Sequence, residues 1–71
     1  MKFEIKARPV DAWAFYTILP FSKLLTCNLP PDANGLVDAK FESSIEVEEL
    51  IKLFHRVENG PAMMESLKIN L

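Results

Sequence analysis

The sequence predicts a small α+β domain in which an antiparallel sheet of three to four strands carries one long helix on one face. Two observations indicate this fold class. Three segments alternate apolar and polar residues, as half-buried strands do, and Ser43 to Gly60 repeats apolar residues at helical spacing. A chain of 71 residues has room for one domain, which we take as residues 1 to 71.

The first strand is predicted over Lys2 to Arg8, where the alternation is strict. Phe3, Ile5 and Ala7 point to one side, and the charged residues between them point to the other. This pattern is typical of a strand with one face in water. Pro9 ends the strand because proline has no backbone N–H to donate to a neighbouring strand.

The segment from Val10 to Leu19 is compatible with two structures. Its aromatic and β-branched residues favour a strand, whereas its alanines and its leucine favour a helix. We favour a short second helix that begins near Pro9 and ends at Pro20. The alternative is a hairpin that turns at Arg8-Pro9-Val10-Asp11. The next residues, Phe21 to Asn28, form either a short strand or a turn of helix.

A loop and a second alternating segment follow. Leu29 to Gly35 is rich in proline, aspartate, asparagine and glycine, which are turn residues. Leu36 to Glu42 then alternates, with Val37, Ala39 and Phe41 on one side, and is predicted to be a strand.

The long helix is predicted from Ser43 to Gly60. Ser43 is a suitable N-cap, and Glu46 three positions later completes a capping box. Gly60 ends the helix and Pro61 blocks its continuation. The apolar stripe of this helix consists of Val47, Leu50, Ile51, Phe54 and Val57.

A last strand is predicted where Leu67, Ile69 and Leu71 alternate with polar residues. The apolar sides of the strands would form one sheet face, and we predict that Ile51 and Phe54 are buried against it. The other sheet face would be polar. The order of elements is compatible with a split β-α-β sandwich, ferredoxin-like in outline, which implies no function by itself.

Composition and charge weigh against several functional classes. The net charge is −2 and the basic residues are scattered, whereas nucleic-acid-binding proteins usually carry a basic stripe. The longest apolar stretch, Ala12 to Leu19, is too short to span a membrane. The charged amino terminus is unlike a signal peptide, and Cys27 is the single cysteine, so we expect a cytoplasmic protein.

No motif in the sequence indicates catalysis, a cofactor or a metal, so we expect a protein that is not an enzyme. His55 is the only histidine and falls on the polar side of the long helix. A general base needs a nucleophile or an orienting carboxylate beside it, and Cys27 and His55 are too few ligands for a metal site. Cys27 lies between apolar residues and is interpreted as a small buried hydrophobe.

Two groups of residues are candidates for contact with a protein partner. The densest aromatic group comprises Trp13, Phe15, Tyr16 and Phe21. Tryptophan and tyrosine are enriched at interface hot spots, although a small core also needs aromatic residues. Because 49% of the chain is apolar, we predict that part of this group is exposed and covered by a second copy or another protein. The acidic pair Glu48 and Glu49 is the second candidate, although the helix macrodipole already favours acids there.

We therefore expect a non-catalytic protein-binding module that regulates or inhibits a partner by occupying its surface. Small chains without motifs are typical of such regulators, including those of phages and mobile elements. The alternative is a small nucleic-acid-binding protein that uses the polar sheet face. Its cations there would be Lys2, Lys6, Lys40 and Lys68. Acidic residues on the same face would cancel much of their positive potential.

Overall fold

The computed structural model describes residues Met1 to Asn70, and within them four strands and three helices form an α+β domain, as predicted. The strands are β1 (Lys2–Ala7), β2 (Lys23–Cys27), β3 (Val37–Glu42) and β4 (Lys68–Asn70). The helices are α1 (Pro9–Ile18), α2 (Val47–Arg56) and α3 (Gly60–Glu65). The predicted inward position of Leu71 lies outside the described residues.

The sheet is antiparallel with the strand order β2-β3-β1-β4. β1 and β3 form its centre and pair from Lys2 opposite Glu42 to Ala7 opposite Val37. Because β1 and β2 are both antiparallel to β3, they run parallel to each other, and α1 connects them. This strand order is the split β-α-β arrangement suggested by the order of elements. It leaves β2 and β4 as the edges of the sheet.

One face of the sheet is buried and the other faces solvent. The buried residues of β1 and β3 alternate with half-buried or exposed charged residues, as a one-sided sheet requires. All three helices therefore pack on the same face. The largest fully buried side chains are Phe3, Ile5, Phe15, Val37, Phe41, Leu50 and Phe54. Phe15 of α1 stacks on Phe54 of α2 with ring centroids 4.7 Å apart, which joins the helices to one core.

Helix α1 forms where a hairpin was the alternative. Pro9 occupies its first turn, where proline's missing N–H is not needed. The guanidinium of Arg8 donates from Nε to Oδ2 of Asp11 over 2.7 Å. The side-chain amide of Asn59 also donates to Oδ2 of Asp11, over 3.3 Å, and thereby ties the start of α1 to the segment between α2 and α3.

The prediction of one helix from Ser43 to Gly60 is wrong in its bounds, because two shorter helices occupy this part of the chain. Asn59 adopts a left-handed conformation with φ 60°, which redirects the chain between α2 and α3. Pro61 lies in the first turn of α3 and so begins a helix instead of blocking one. A side chain at Gly60 would overlap the carbonyl oxygen of Phe54, so the close approach of the two helices requires glycine.

The capping box is also wrong. Glu46 is the N-cap residue of α2 and makes no side-chain cap hydrogen bond. Ser43 is buried before the helix begins. Its hydroxyl donates to the carbonyl oxygen of Pro20 over 2.6 Å and accepts from the amide of Ile45 over 3.2 Å. A distant carbonyl and the nearby amide of Ile45, rather than the free amides of α2, therefore satisfy this serine.

The apolar stripe of α2 is narrower than predicted. Leu50 and Phe54 are fully buried, which confirms the prediction for Phe54. Ile51 is 39% exposed, so its predicted burial is wrong, and Val47 is exposed to the same degree. The reason is geometric, because each residue turns a helix by about 100° and Ile51 lies on the flank of a stripe centred on Leu50 and Phe54.

The connection from β2 to β3 is organised by one carboxylate. The backbone amides of Asn34 and Leu36 donate to Oδ1 of Asp32 over 2.8 Å and 3.0 Å. These two bonds lower the pKa of Asp32 below its ordinary value. Among residues 1 to 70, no helix is long and apolar enough to cross a membrane.

Candidate functional site: an apolar face between α1 and β2

The helices leave one edge of the sheet uncovered. Their packing against the sheet falls mainly on β1 and β3, whereas β2 lies beyond them at the edge. Leu24 and Cys27 of β2 pair with Phe41 and Ala39 of β3, so they lie on the helix side of the sheet. A groove of about 330 Å³ therefore remains between α1 and β2.

The groove is apolar on every side. Trp13 and Tyr16 of α1 form one wall, Leu24 and Cys27 of β2 form the other, and Phe41 lies between them. The ring of Tyr16 stacks on Phe41 with centroids 6.0 Å apart. Trp13 in turn contacts Tyr16 with centroids 5.5 Å apart. These contacts fix the walls, so the groove is preformed rather than created by a ligand.

Exposed apolar side chains concentrate around this groove. Of the nine large apolar residues that are exposed in the described chain, seven lie between Val10 and Leu29. Three of the seven line the groove, and two more lie in the first turn of α1 and in the turn that leads into β2. We define these five residues as the apolar face. Its members are Val10, Trp13, Phe21, Leu24 and Leu29. Trp13 is 61% exposed and Phe21 is 92% exposed.

Phe21 lies in the turn that joins α1 to β2, the two elements that form the walls of the groove. Its φ of 45° is in the left-handed region, which bulky side chains rarely adopt. Hydrogen bonds hold the residues on both sides of it. The carbonyl oxygen of Pro20 accepts from the buried Ser43 hydroxyl, and the Ser22 hydroxyl donates to the carbonyl oxygen of Tyr16 over 3.3 Å. These bonds hold the backbone of the turn, and the ring of Phe21 extends from it into solvent.

The apolar face carries almost no free charge. Between Val10 and Leu29 the charged residues are Asp11 and Lys23. The hydrogen bond from Arg8 lowers the pKa of Asp11 below its ordinary value, and Asn59 adds to this effect. Lys23 pairs with Glu42 across the strands, so it lies on the polar side of the sheet.

The structure separates the predicted partner-binding residues into three groups. Trp13 and Phe21 are exposed on the apolar face, and Tyr16 is half-buried in the groove wall. Phe15 points from α1 into the core and is fully buried, so it is not available for contact with a partner. Glu48 and Glu49 are exposed at the start of α2, where Glu49 contacts Lys52 over 3.5 Å.

Sequence reasoning missed Leu24, Leu29 and Cys27 as members or neighbours of this site. Cys27, interpreted as a small buried hydrophobe, is partly buried against the core and also lines the groove. The available signal was the nearly all-round apolar character of α1. A helix of that kind is normally buried on all sides, whereas one flank of α1 faces the open groove.

Two of the four lysines on the polar sheet face, Lys2 and Lys6, have carboxylate partners. Lys2 lies 3.8 Å from Glu42, and Lys6 lies 3.8 Å from both Asp32 and Asp38. This pairing weighs against the nucleic-acid alternative, which needs positive charge that phosphates can reach.

A second concavity, of about 370 Å³, lies beside Lys6 and Arg8. Lys6 faces Asp32 and Asp38, and Arg8 is bonded to Asp11, so both cations already have carboxylate partners. His55 is exposed on α2. No group of three or more metal-ligating residues occurs within residues 1 to 70.

Comparison with known proteins returns no significant match to a protein-family model, to a curated protein or to a solved structure.

Proposed function

We propose that this protein is a small non-catalytic module that acts by protein–protein contact, regulating or inhibiting its partner by occupying the partner's surface with the apolar face. The observation that carries the proposal is the concentration of exposed apolar side chains around a preformed apolar groove. On soluble proteins, contiguous apolar patches of several hundred Å² mark sites of interaction.

Trp13 and Phe21 are the residues that we expect to dominate the binding energy. Both are large and mostly exposed, and aromatic residues are enriched among interface hot spots. Burying one such side chain contributes about 1.5–3 kcal/mol. Two of them therefore change the dissociation constant by roughly 100-fold to 10,000-fold.

The chemistry of the face also defines the kind of partner. Because Asp11 is bonded to Arg8 and Lys23 lies on the polar side of the sheet, binding here depends on apolar contact rather than on ion pairs. Apolar contact is insensitive to moderate salt, whereas binding to nucleic acid weakens steeply as salt rises. We therefore expect a protein partner whose contact surface is apolar.

A capture experiment with matched variants tests the proposal. The tagged full chain, Trp13→Ser and Ile51→Ser are each incubated with native lysate at low and at high salt. Ile51→Ser is the control, because it removes an exposed apolar side chain from α2, outside the apolar face. Circular dichroism verifies that each variant is folded.

We expect the wild type and Ile51→Ser to retain the same protein at both salt concentrations, and Trp13→Ser to lose it. Equal capture by Trp13→Ser and the wild type would contradict the proposal. Recovery of nucleic acid that high salt removes would favour the polar sheet face instead.

A further inference from the structure

We infer that the partner of the apolar face is a second copy of this chain, and that Phe21 of each copy inserts into the groove of the other. This inference rests on the proposed function, because it names the occupant of the same surface. It predicts a symmetric dimer whose contact is formed by α1, β2 and the turn between them.

The ring of Phe21 and the groove are matched in size and chemistry. An apolar cavity of about 150 Å³ is large enough to hold a benzene ring, and the groove measures about 330 Å³. Phe21 does not line the groove of its own chain and is 92% exposed. The monomer therefore has an aromatic ring, that of Phe21, with little contact to its own chain, and an open apolar groove of sufficient size to hold such a ring.

The positions of the ring and the groove allow a two-fold axis. Phe21 is three residues from Leu24, which forms part of the groove wall. A two-fold axis close to Leu24 would place Phe21 of each copy in the groove of the other copy. Each contact then occurs twice, as in an isologous interface. The hydroxyls of Ser43 and Ser22 already hold the backbone of the turn, so this backbone loses little conformational freedom on binding.

The area of the apolar face is close to what a stable dimer needs. With aromatic side chains of about 150–250 Å² each, the exposed parts of the five residues of the apolar face total roughly 700 Å². Stable protein interfaces bury about 800 Å² on each partner. The apolar face therefore supplies most of the area that each copy buries in a stable dimer, and neighbouring residues of α1 and β2 supply the remainder.

Charge does not oppose the contact between two copies. Asp11 is bonded to Arg8, and Lys23 lies on the polar side of the sheet, so neither enters the interface as an unpaired charge. The register of β2 against β3 shifts between Leu24 and Thr26. Irregularities of this kind disturb further strand pairing at an edge, so we infer contact through side chains rather than through an added strand.

Sedimentation and tryptophan fluorescence together test this inference on the full chain. Trp13 is the only tryptophan and lines the groove, so its emission reports directly on whether the groove is occupied. We expect a monomer–dimer equilibrium by analytical ultracentrifugation over a wide range of protein concentration. Over the same range, the Trp13 emission should move to shorter wavelength and become protected from acrylamide quenching.

The decisive variant is Phe21→Asn. Asparagine tolerates the left-handed conformation, so the turn is retained while the ring is removed and the Trp13 probe stays in place. We expect the dimer dissociation constant to rise by at least roughly 100-fold, because each dimer loses two buried rings. Ile51→Ser, outside the apolar face, should leave the dissociation constant unchanged.

Three results would overturn the inference: a wild type that stays monomeric at all concentrations, a dimer whose Trp13 emission does not change, or a Phe21→Asn dimer as tight as the wild type. The proposed function fails separately, when Trp13→Ser captures the same lysate protein as the wild type. A monomeric chain that still retains a protein through Trp13 therefore contradicts the second copy alone.

Discussion

Replacing Phe21 by glycine should leave the monomer equally stable or make it more stable, although the change deletes a large apolar side chain. Phe21 has a φ of 45°, and the left-handed conformation costs a non-glycine residue about 1–2 kcal/mol. Glycine removes this cost. Glycine also gives the unfolded chain more freedom, which opposes the gain by about 0.5–1 kcal/mol.

The loss of packing should be small in comparison. Phe21 is 92% exposed, so the ring buries little area in the monomer and its removal costs less than about 0.5 kcal/mol. The three contributions leave Phe21→Gly between about 0.5 kcal/mol less stable and about 1.5 kcal/mol more stable than the wild type, with the middle of the range on the stabilising side. A buried phenylalanine would instead cost about 3–5 kcal/mol when truncated.

Urea and thermal unfolding followed by circular dichroism measure this difference. The protein concentration must be low enough to keep both chains monomeric, because association stabilises the folded state by mass action. In a domain of this size 1 kcal/mol corresponds to about 4–8 °C in Tm. A Phe21→Gly chain that unfolds more than about 4 °C below the wild type would show that the ring packs in the monomer and would refute this reasoning.

Three further predictions concern the core, the Phe21 turn and the effect of pH. Phe54→Ala should lower the free energy of unfolding by about 3–5 kcal/mol, because it leaves a cavity beside the buried ring of Phe15. A Tm within a few degrees of the wild type would contradict the packing of α2 against the core. Ser43→Ala should lower the free energy of unfolding by about 1–3 kcal/mol, because the carbonyl of Pro20 and the amide of Ile45 lose their hydroxyl partner. Urea unfolding measures this loss, and Ser44→Ala, at an exposed position, is the control. Folding lowers the pKa of Asp11, so its stabilising contribution is complete above the unfolded pKa, about 4, and is lost progressively at lower pH, as the pH falls through the folded pKa. The Asp11→Asn chain should therefore lose less stability than the wild type over this range, and an equal loss would show that the bond with Arg8 does not matter.

An interface between apolar faces would also explain a feature of this sequence that the core does not. Helix α1 is apolar on nearly all sides, yet only Ala12 and Phe15 of its ten residues are buried. If a second copy covers the flank that carries Trp13, α1 becomes buried on nearly all sides, as is typical of a helix with this composition. The same reasoning accounts for an aromatic ring at Phe21, where the conformation favours glycine or asparagine.

The sequence by itself determined the elements with strong local patterns. The alternation in Lys2–Ala7 and Val37–Glu42 identified the central strands and their buried sides, because a strand exposes every second residue to the same environment. The helical spacing of Leu50 and Phe54 identified the core side of α2. The α+β class follows from these same patterns.

Tertiary structure decided the positions where a side chain had more than one suitable partner. Ser43 has the sequence of an N-cap, but the carbonyl of Pro20, 23 residues away, receives its hydroxyl. Pro61 is compatible with the end of one helix or the start of another, and the left-handed Asn59 selected the start. In both places local sequence leaves two low-energy solutions, and distant contacts choose between them.

The apolar face depends even more strongly on the arrangement of the whole fold. The sequence pattern does not distinguish the burial of Trp13, Phe15 and Phe21. In the structure Phe15 is buried, whereas the other two are exposed. Their burial is decided by where α1 rests on the sheet and by the edge position of β2. The position of α1 and the position of β2 both depend on contacts between residues far apart in the chain. The sequence therefore predicted an apolar surplus between Val10 and Leu29, but not which of these side chains reach the surface.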